Sequence, residues 1–339
     1  MSAKLVSYSQ RHEDTNLLRA FGDQATGFYI DIGAGHPVYD NVSFAFYLKG
    51  WSGIAVEPNP RLSALAKSIR PRDKNFQMLV GAKKGEADFH LVDDYHGFST
   101  TVEAHAKSAQ TDFGKSSQAI KMPTTTLADL CAEHVSGPID FLKIDVEGAE
   151  ADVIAGNDWT KFRPKIVLAE ALAPFSQIAA WDSWEPTLLK NGYRYALFDS
   201  LNRYYVREDE PEIAKRLEAA PSSYDNIVLF RDFKLPIHDP AHPDHALALL
   251  LEKPAMARLP LLDPATLVEL LTADLPASSL DSLATQADVA KAQERLFGPG
   301  KKAAPALPAG ITVRQLYAKL AETDEFRAAL GRISASYAW

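Results

Sequence analysis

Over the first two thirds of the chain, short apolar runs alternate with helical patterns. The runs predict strands at residues 27–32, 53–57, 76–80, 88–91, 139–145 and 165–170. The first, fifth and sixth are near-continuous in Ile, Val, Leu and Phe, as in strands covered on both faces by crossover helices. Helices are predicted between them at 42–49, 60–69, 126–133, 149–155 and 184–191. The last ends in Lys190-Asn191-Gly192, a fitting C-cap. This strand–helix–strand order predicts an α/β fold with a doubly wound, mostly parallel, Rossmann-like sheet.

The pattern changes near residue 193. Aromatic and β-branched runs at 193–198 and 203–207 flank Asp199-Ser200-Leu201-Asn202 and predict a hairpin, and 227–230 is one more apolar strand. The parallel sheet is therefore expected to end in antiparallel strands. After Arg231 a stretch rich in proline and histidine marks a boundary. Helices are predicted beyond it at 245–252, 264–271, 286–296, 312–319 and 324–330, with a loop at 298–308. The expected organisation is an α/β domain over 1–232 and a small helical appendage over 233–339. His238, His242 and His245 have a loosely metal-like spacing, with Asp239 and Asp244 among them. The intervening prolines point instead to an open linker, and no ligand motif is matched.

Composition changes this picture in three places. The formal net charge of -8 provides no basic footprint for nucleic acid or an anionic membrane. Arg70-Pro71-Arg72 and Lys83-Lys84 are too short to alter that and read as solvated surface. The single cysteine, Cys131, excludes an intrachain disulfide and an all-cysteine metal site, and its helical context predicts a buried thiol. Residues 1–11 contain no apolar signal-peptide core, and no run approaches the roughly 20 apolar residues of a membrane span. The expected location is the cytoplasm.

The strand ends carry the candidate chemistry. Ligands of open α/β sheets lie beyond the carboxyl ends of the strands, and Asp31, Glu57, Asp145 and Glu170 all fall there. Core packing does not explain four acids in such places, because unpaired buried acids are costly. Gly33, Ala34 and Gly35 form a loop that lets backbone approach a ligand. The strict dinucleotide fingerprint fails, since its third glycine position is Val38. Glu57, followed by Pro58, is placed for a ribose diol. Asp31 sits where a pyrophosphate would be repelled and a positively charged methionyl amine accepted. The pair favours S-adenosylmethionine over NAD. A second anchor, residues 141–150, delivers Asp145 and Glu147 two positions apart, with Glu150 serving the following helix start.

These blocks resemble the FkbM family of S-adenosylmethionine-dependent O-methyltransferases. Ser9-Gln10, Glu13-Asp14 and Leu18-Arg19-Ala20-Phe21 resemble the family's amino-terminal segment. Residues 28–37 resemble its first glycine motif, and Gly50-Trp51-Ser52-Gly53 with Glu57-Pro58-Asn59-Pro60 its second. Residues 141–150 resemble its most distinctive block. Trp184-Glu185-Pro186 through Tyr193, with Phe198-Asp199 and Leu201-Asn202-Arg203-Tyr204, resembles its carboxyl-terminal part. The family often has Asn where this chain has Gly35, which removes a side-chain contact. The region after Phe230 lies outside the resemblance.

The resemblance implies a class I methyltransferase fold and methyl transfer to a hydroxyl, often on a sugar, glycan intermediate or polyketide. The expected cofactor residues are Asp31, Gly33, Ala34, Gly35, Glu57, Pro58 and Asp145. The candidates for handling the hydroxyl proton are Glu147, Glu170 and His96, with His36 beside them. Ser99 and Thr100 are candidate hydrogen-bonding groups, and Tyr39, Phe98, Trp181 and Trp184 candidate sugar-stacking rings. Asp145 and Glu170 are placed to share a divalent cation with Glu147, but no contiguous motif supports it and the expected site contains no metal. Two other readings remain open: an NAD-dependent oxidoreductase of similar topology, and a non-catalytic scaffold carrying the helical tail. The sequence leaves the oligomeric state open.

Overall fold

The structure is a computed structural model that describes residues 5–92, 99–113, 117–174, 176–218, 226–299 and 310–337. The chain divides into two compact units, Met1–Asp232 and Phe233–Trp339.

The first unit contains strands β1 (Leu5–Ser7), β2 (Phe28–Ile32), β3 (Ser52–Val56), β4 (Lys74–Phe76), β5 (Leu79–Val80), β6 (Gly85–Leu91), β7 (Gln118–Thr125), β8 (Phe141–Ile144), β9 (Ile166–Glu170), β10 (Tyr193–Phe198), β11 (Asn202–Arg207) and β12 (Ile227–Leu229). Its main sheet is seven-stranded, in the order β10-β11-β9-β8-β2-β3-β4. The strands from β9 to β4 are parallel, and the β10–β11 hairpin closes the sheet antiparallel to β9. The helices are α1 (Glu13–Phe21), α2 (Phe44–Leu48), α3 (Pro60–Ile69), α4 (Glu103–Phe113), α5 (Leu127–His134), α6 (Glu150–Ala155), α7 (Glu185–Lys190) and α8 (Pro211–Glu218).

Alternation along β2 explains why both faces of the sheet are covered. Ile30 and Ile32 pack with Leu130 of α5, Ile154 of α6 and Leu188 of α7. Tyr29 points the other way, toward Leu17 and Phe21 of α1, Phe46 of α2 and Leu217 of α8. The second face also holds a buried polar knot. Arg70 is fully buried and ion-paired to Asp73 at 2.7 Å. It donates to Tyr29 Oη at 3.0 Å, Asn41 Oδ1 at 3.0 Å and Ser43 Oγ at 2.8 Å. These bonds satisfy a charge that would be costly alone, and they fix the loop that carries Ser43 against Asp31.

Several expectations change here. Residues 76–80 do not form one strand: Lys74–Phe76 edges the main sheet, whereas Leu79–Val80 joins a separate sheet of order β5-β7-β6. The sequence patterns missed β1, β7, α1, α4 and α8. The hairpin loop is Asp199 to Leu201, because Asn202 already pairs with Glu170. Trp184 is buried against Tyr205 and belongs to the core. β1 pairs in parallel with β12, Leu5 opposite Ile227, so the first and last strands of this unit lie side by side.

The second unit contains α9 (His245–Ala257), α10 (Pro264–Thr272), α11 (Ala277–Leu280), α12 (Gln286–Phe297), α13 (Val313–Ala321) and α14 (Asp324–Ser336). Val268, Leu280, Ala292, Val313, Leu316 and Leu320 form its core. Thr285 with Asp288 and Thr312 with Gln315 make capping boxes that start α12 and α13. The histidine-rich segment is a closed turn rather than an open linker. His242 is buried, its Nδ1 accepts from Asp244 N at 3.0 Å, and His245 Nδ1 lies 2.6 Å from the Pro236 carbonyl. Among the described residues, no helix is long and apolar enough to cross a membrane.

Candidate functional site

A cleft of about 860 Å³, part of it open to solvent, lies beyond the carboxyl ends of β2, β3 and β8. One wall is apolar, formed by Val56, Met78, Leu79, Val80 and Phe89.

The glycine loop and the end of β3 form the first bank. Gly33 has φ +75°, and a Cβ there would lie 1.7 Å from the Asp145 carbonyl oxygen, so only glycine fits. Gly33 N and Ala34 N both donate to Val56 O at 3.0 Å, which ties the loop to β3. Glu57 is nearly buried, and each of its oxygens has a backbone donor: Gly35 N to Oε2 at 2.7 Å and Asn59 N to Oε1 at 2.8 Å. Burial pushes its pKa up to about 7, against the pull of the Asn59 and Gly35 N–H groups. The Asn59 side chain accepts from Arg61 N at 3.0 Å, capping α3.

Lys143 joins this bank to the next. Its ammonium donates to Gly33 O at 2.6 Å and pairs with Asp31 at 3.4 Å and Asp145 at 3.3 Å. Burial works against its charge, but Asp145 and Asp31 more than offset that and hold the ammonium above its ordinary range. Asp31 is fully buried, accepts from Ser43 Oγ at 2.6 Å and does not line the cleft. Lys143, which does line it, lies between Asp31 and Asp145.

The second bank is the turn after β8. Glu147 has φ +54° and Gly148 φ +99°. Glu150 closes the turn by accepting from Val146 N at 3.0 Å and Gly148 N at 3.2 Å. Thr100 Oγ1 donates to Glu147 O at 2.8 Å, and His105 Nδ1 lies 3.2 Å from the same oxygen. The turn brings Asp145 and Glu147 to Glu170 at the end of β9, with one carboxylate oxygen from each within 4.8 Å of the others. Glu170 Oε2 is buried with no hydrogen-bond partner among the described residues. Burial, then the adjacent acids, holds the Glu147 and Glu170 carboxyls well above the usual range.

Of the expected residues, Gly33, Ala34, Gly35, Glu57, Pro58, Asp145 and Glu147 line the cleft. Asp31 and Glu170 are not among its lining residues, and His96 and Phe98 fall outside the described residues. His36 Nδ1 accepts from Val38 N and Tyr39 N at 3.1 and 2.9 Å, which commits it to the local turn. Gln10, Asp40, Met78, Phe89 and Thr101 also line the cleft and were missed. Met78 and Phe89 fall in the predicted strands 76–80 and 88–91, which read as core, and Gln10 in the amino-terminal resemblance; none of these signals points to the cleft.

The family model for the methyltransferase FkbM domain matches residues 31–195. The 2-O-methyltransferase NoeI of Sinorhizobium fredii (strain NBRC 101917 / NGR234) is 29% identical over 125 residues, covering 34% of this chain and 51% of the relative. The chain thus spans about half the length of the curated relative it matches. The crystal structure of methyltransferase FkbM from Methylobacillus flagellatus KT aligns with a TM-score of 0.32 at 12% identity, covering 54% of this chain and 44% of that one.

Proposed function

Because the chain carries an FkbM methyltransferase domain over residues 31–195, we propose that it moves a methyl group from S-adenosylmethionine to a hydroxyl on a sugar or glycan intermediate. The observation that carries this reading is Glu57: a carboxylate at the rim of the cleft, fixed by two backbone N–H groups, with lone pairs left for a ribose diol. The wall of Met78, Leu79, Val80 and Phe89 suits an adenine face, and the partly exposed Asp145 carboxylate suits an ammonium. Asp31 acts one step back, by holding Lys143. The cofactor, when bound, supplies a methyl group already activated on a sulfonium. The remaining work is alignment of the acceptor and removal of its proton. Glu147 lines the cleft and its affinity for a proton is raised, so it is the first candidate to take the hydroxyl proton. Glu170 stands behind it, and His96 is the third candidate.

Two features support a hydroxyl acceptor: the family resemblance and the 2-O-methyltransferase named above. Calorimetry with S-adenosylhomocysteine should give saturable binding that Glu57→Ala abolishes. Tight NADH binding without homocysteine-cofactor binding would replace this reading with the oxidoreductase one. Labelled methyl from S-adenosylmethionine should enter a glycan or sugar fraction of cell extract. Label confined to protein would defeat the glycan acceptor and leave the cofactor assignment standing. Neither cofactor binding nor transfer to any fraction would favour the scaffold.

A further inference from the structure

We propose that Asp145, Glu147 and Glu170 form a binding site for one divalent cation. Three carboxylates from the ends of two adjacent strands present oxygens within 4.8 Å of one another. The hydrogen-bond accounting shows that the protein does not neutralise them all. Glu150 is satisfied by the Val146 and Gly148 N–H groups. Asp31 Oδ2 accepts from Ser43 Oγ, and its carboxylate forms an ion pair with Lys143. Lys143 donates to the Gly33 carbonyl at 2.6 Å and forms ion pairs with Asp31 at 3.4 Å and Asp145 at 3.3 Å. Among the described residues, no ion pair or hydrogen bond joins Lys143 to Glu147 or Glu170, and Glu170 Oε2 is buried and unpartnered. A buried acid without a partner is expensive. A cation at this point supplies the missing charge to all three residues at once.

The donor chemistry narrows the ion. The set is oxygen only, without sulfur or imidazole, which suits Mg²⁺, Mn²⁺ or Ca²⁺ over zinc or copper. Three protein carboxylates leave coordination positions for water, as Mg²⁺ prefers. Asp145 and Glu147 also line the cleft, so the site has an entry path and the cation would face what the cleft holds. If that is an acceptor hydroxyl, the cation would favour its ionised form. This last clause rests on the methyl-transfer reading, whereas cation binding does not.

The test uses the full chain, stripped with chelator and titrated with Mn²⁺ while free Mn²⁺ is followed by electron paramagnetic resonance. One ion per chain should bind saturably below about 1 mM, and Mg²⁺ should displace it. Glu170→Gln should weaken binding at least tenfold, with Glu147→Gln as the second variant should the first fail to fold. Saturating Mn²⁺ should raise the melting temperature of the wild type and leave that of Glu170→Gln unchanged. Undiminished free Mn²⁺ through several millimolar would overturn the site, as would equal binding by folded Glu170→Gln and Glu147→Gln. So would a protonated carboxyl band in the infrared near pH 7 that Glu170→Gln removes and Mn²⁺ does not, since Glu147 and Glu170 would then be sharing a proton instead. S-adenosylhomocysteine titration of the same samples keeps the two conclusions apart: its binding without Mn²⁺ binding sinks only the cation.

Discussion

The two banks of the cleft treat a buried acid in opposite ways. At the end of β3, each oxygen of Glu57 receives a backbone N–H. At the ends of β8 and β9, Glu147 and Glu170 crowd Asp145, and Glu170 keeps a buried oxygen with no donor among the described residues. The residue type is the same and both banks lie at strand ends, so the difference comes from the following turn. Beyond β3 the chain enters α3 through Asn59, while the glycine loop of β2 brings Gly35 N from the other side. Beyond β8 the turn spends its free N–H groups, those of Val146 and Gly148, on Glu150. A carboxylate supplied with donors is a fixed acceptor, ready for a ligand's hydroxyls. Carboxylates left without them wait for a proton or a cation.

The largest effect should come from breaking the link between the banks. Gly33→Ala forces a Cβ into the Asp145 carbonyl at positive φ, and we expect a loss above about 4 kcal/mol. Chemical denaturation, or failure to recover folded protein, reads this out; a well-folded variant would show that the banks are less rigidly joined. Next is the pH dependence. Glu57 has its carboxyl pKa raised by burial to about 7, so the folded state binds that proton more tightly than the unfolded state does. Its contribution is full below the unfolded value near 4.5 and is lost as pH rises through about 7. The span is about 3 kcal/mol. Glu13, raised to about 7 by burial and then by Asp199, adds a similar slope. Only the difference between wild type and Glu57→Gln isolates Glu57, and equal slopes would refute its burial cost.

The same Glu→Gln exchange should have opposite signs on the two banks. Glu57→Gln sets an amide NH₂ against one of two N–H donors and should destabilise by about 2 kcal/mol near pH 7. It should also weaken S-adenosylhomocysteine about 10- to 100-fold. Glu170→Gln, in ion-free protein at pH 8, should stabilise by about 1 kcal/mol, roughly 3 °C in melting temperature. Cofactor affinity should stay within about twofold. Thermal melts of both variants under one buffer settle the signs, and a matching sign would dissolve the contrast.

Much of this contrast was readable in the sequence, because the strands that build it are plain. β2, β8 and β9 are continuous apolar runs, and acids directly after them stand out. The turn chemistry was not readable. No periodicity tells that Gly35 N points at Glu57, or that Asp31 is drawn into the core by Ser43 and Lys143. α1 escaped notice because Glu13, Asp14, Thr15 and Asn16 are all buried. Asp14 takes Ser7 Oγ, Ser9 Oγ and Tyr8 N, so hydrogen bonds do there what apolar spacing does elsewhere. β7 carries Pro123 and exposes much of its length, and both features mask a strand. Residues 76–80 read as one strand because nothing local signals that the chain leaves one sheet at Phe76 and joins another at Leu79.

The parallel pair of β1 and β12 has a consequence for how the first unit comes into being. Leu5 N donates to Asn226 O, and Leu5 to Ser7 align with Ile227 to Leu229. During synthesis β1 therefore waits more than 200 residues for β12, its one sheet partner among the described residues. Until then its backbone groups face water or a chaperone. Closure of this unit falls at the end of its synthesis, when the last strand meets the first, and chains cut short before Asn226 leave that strand unpaired.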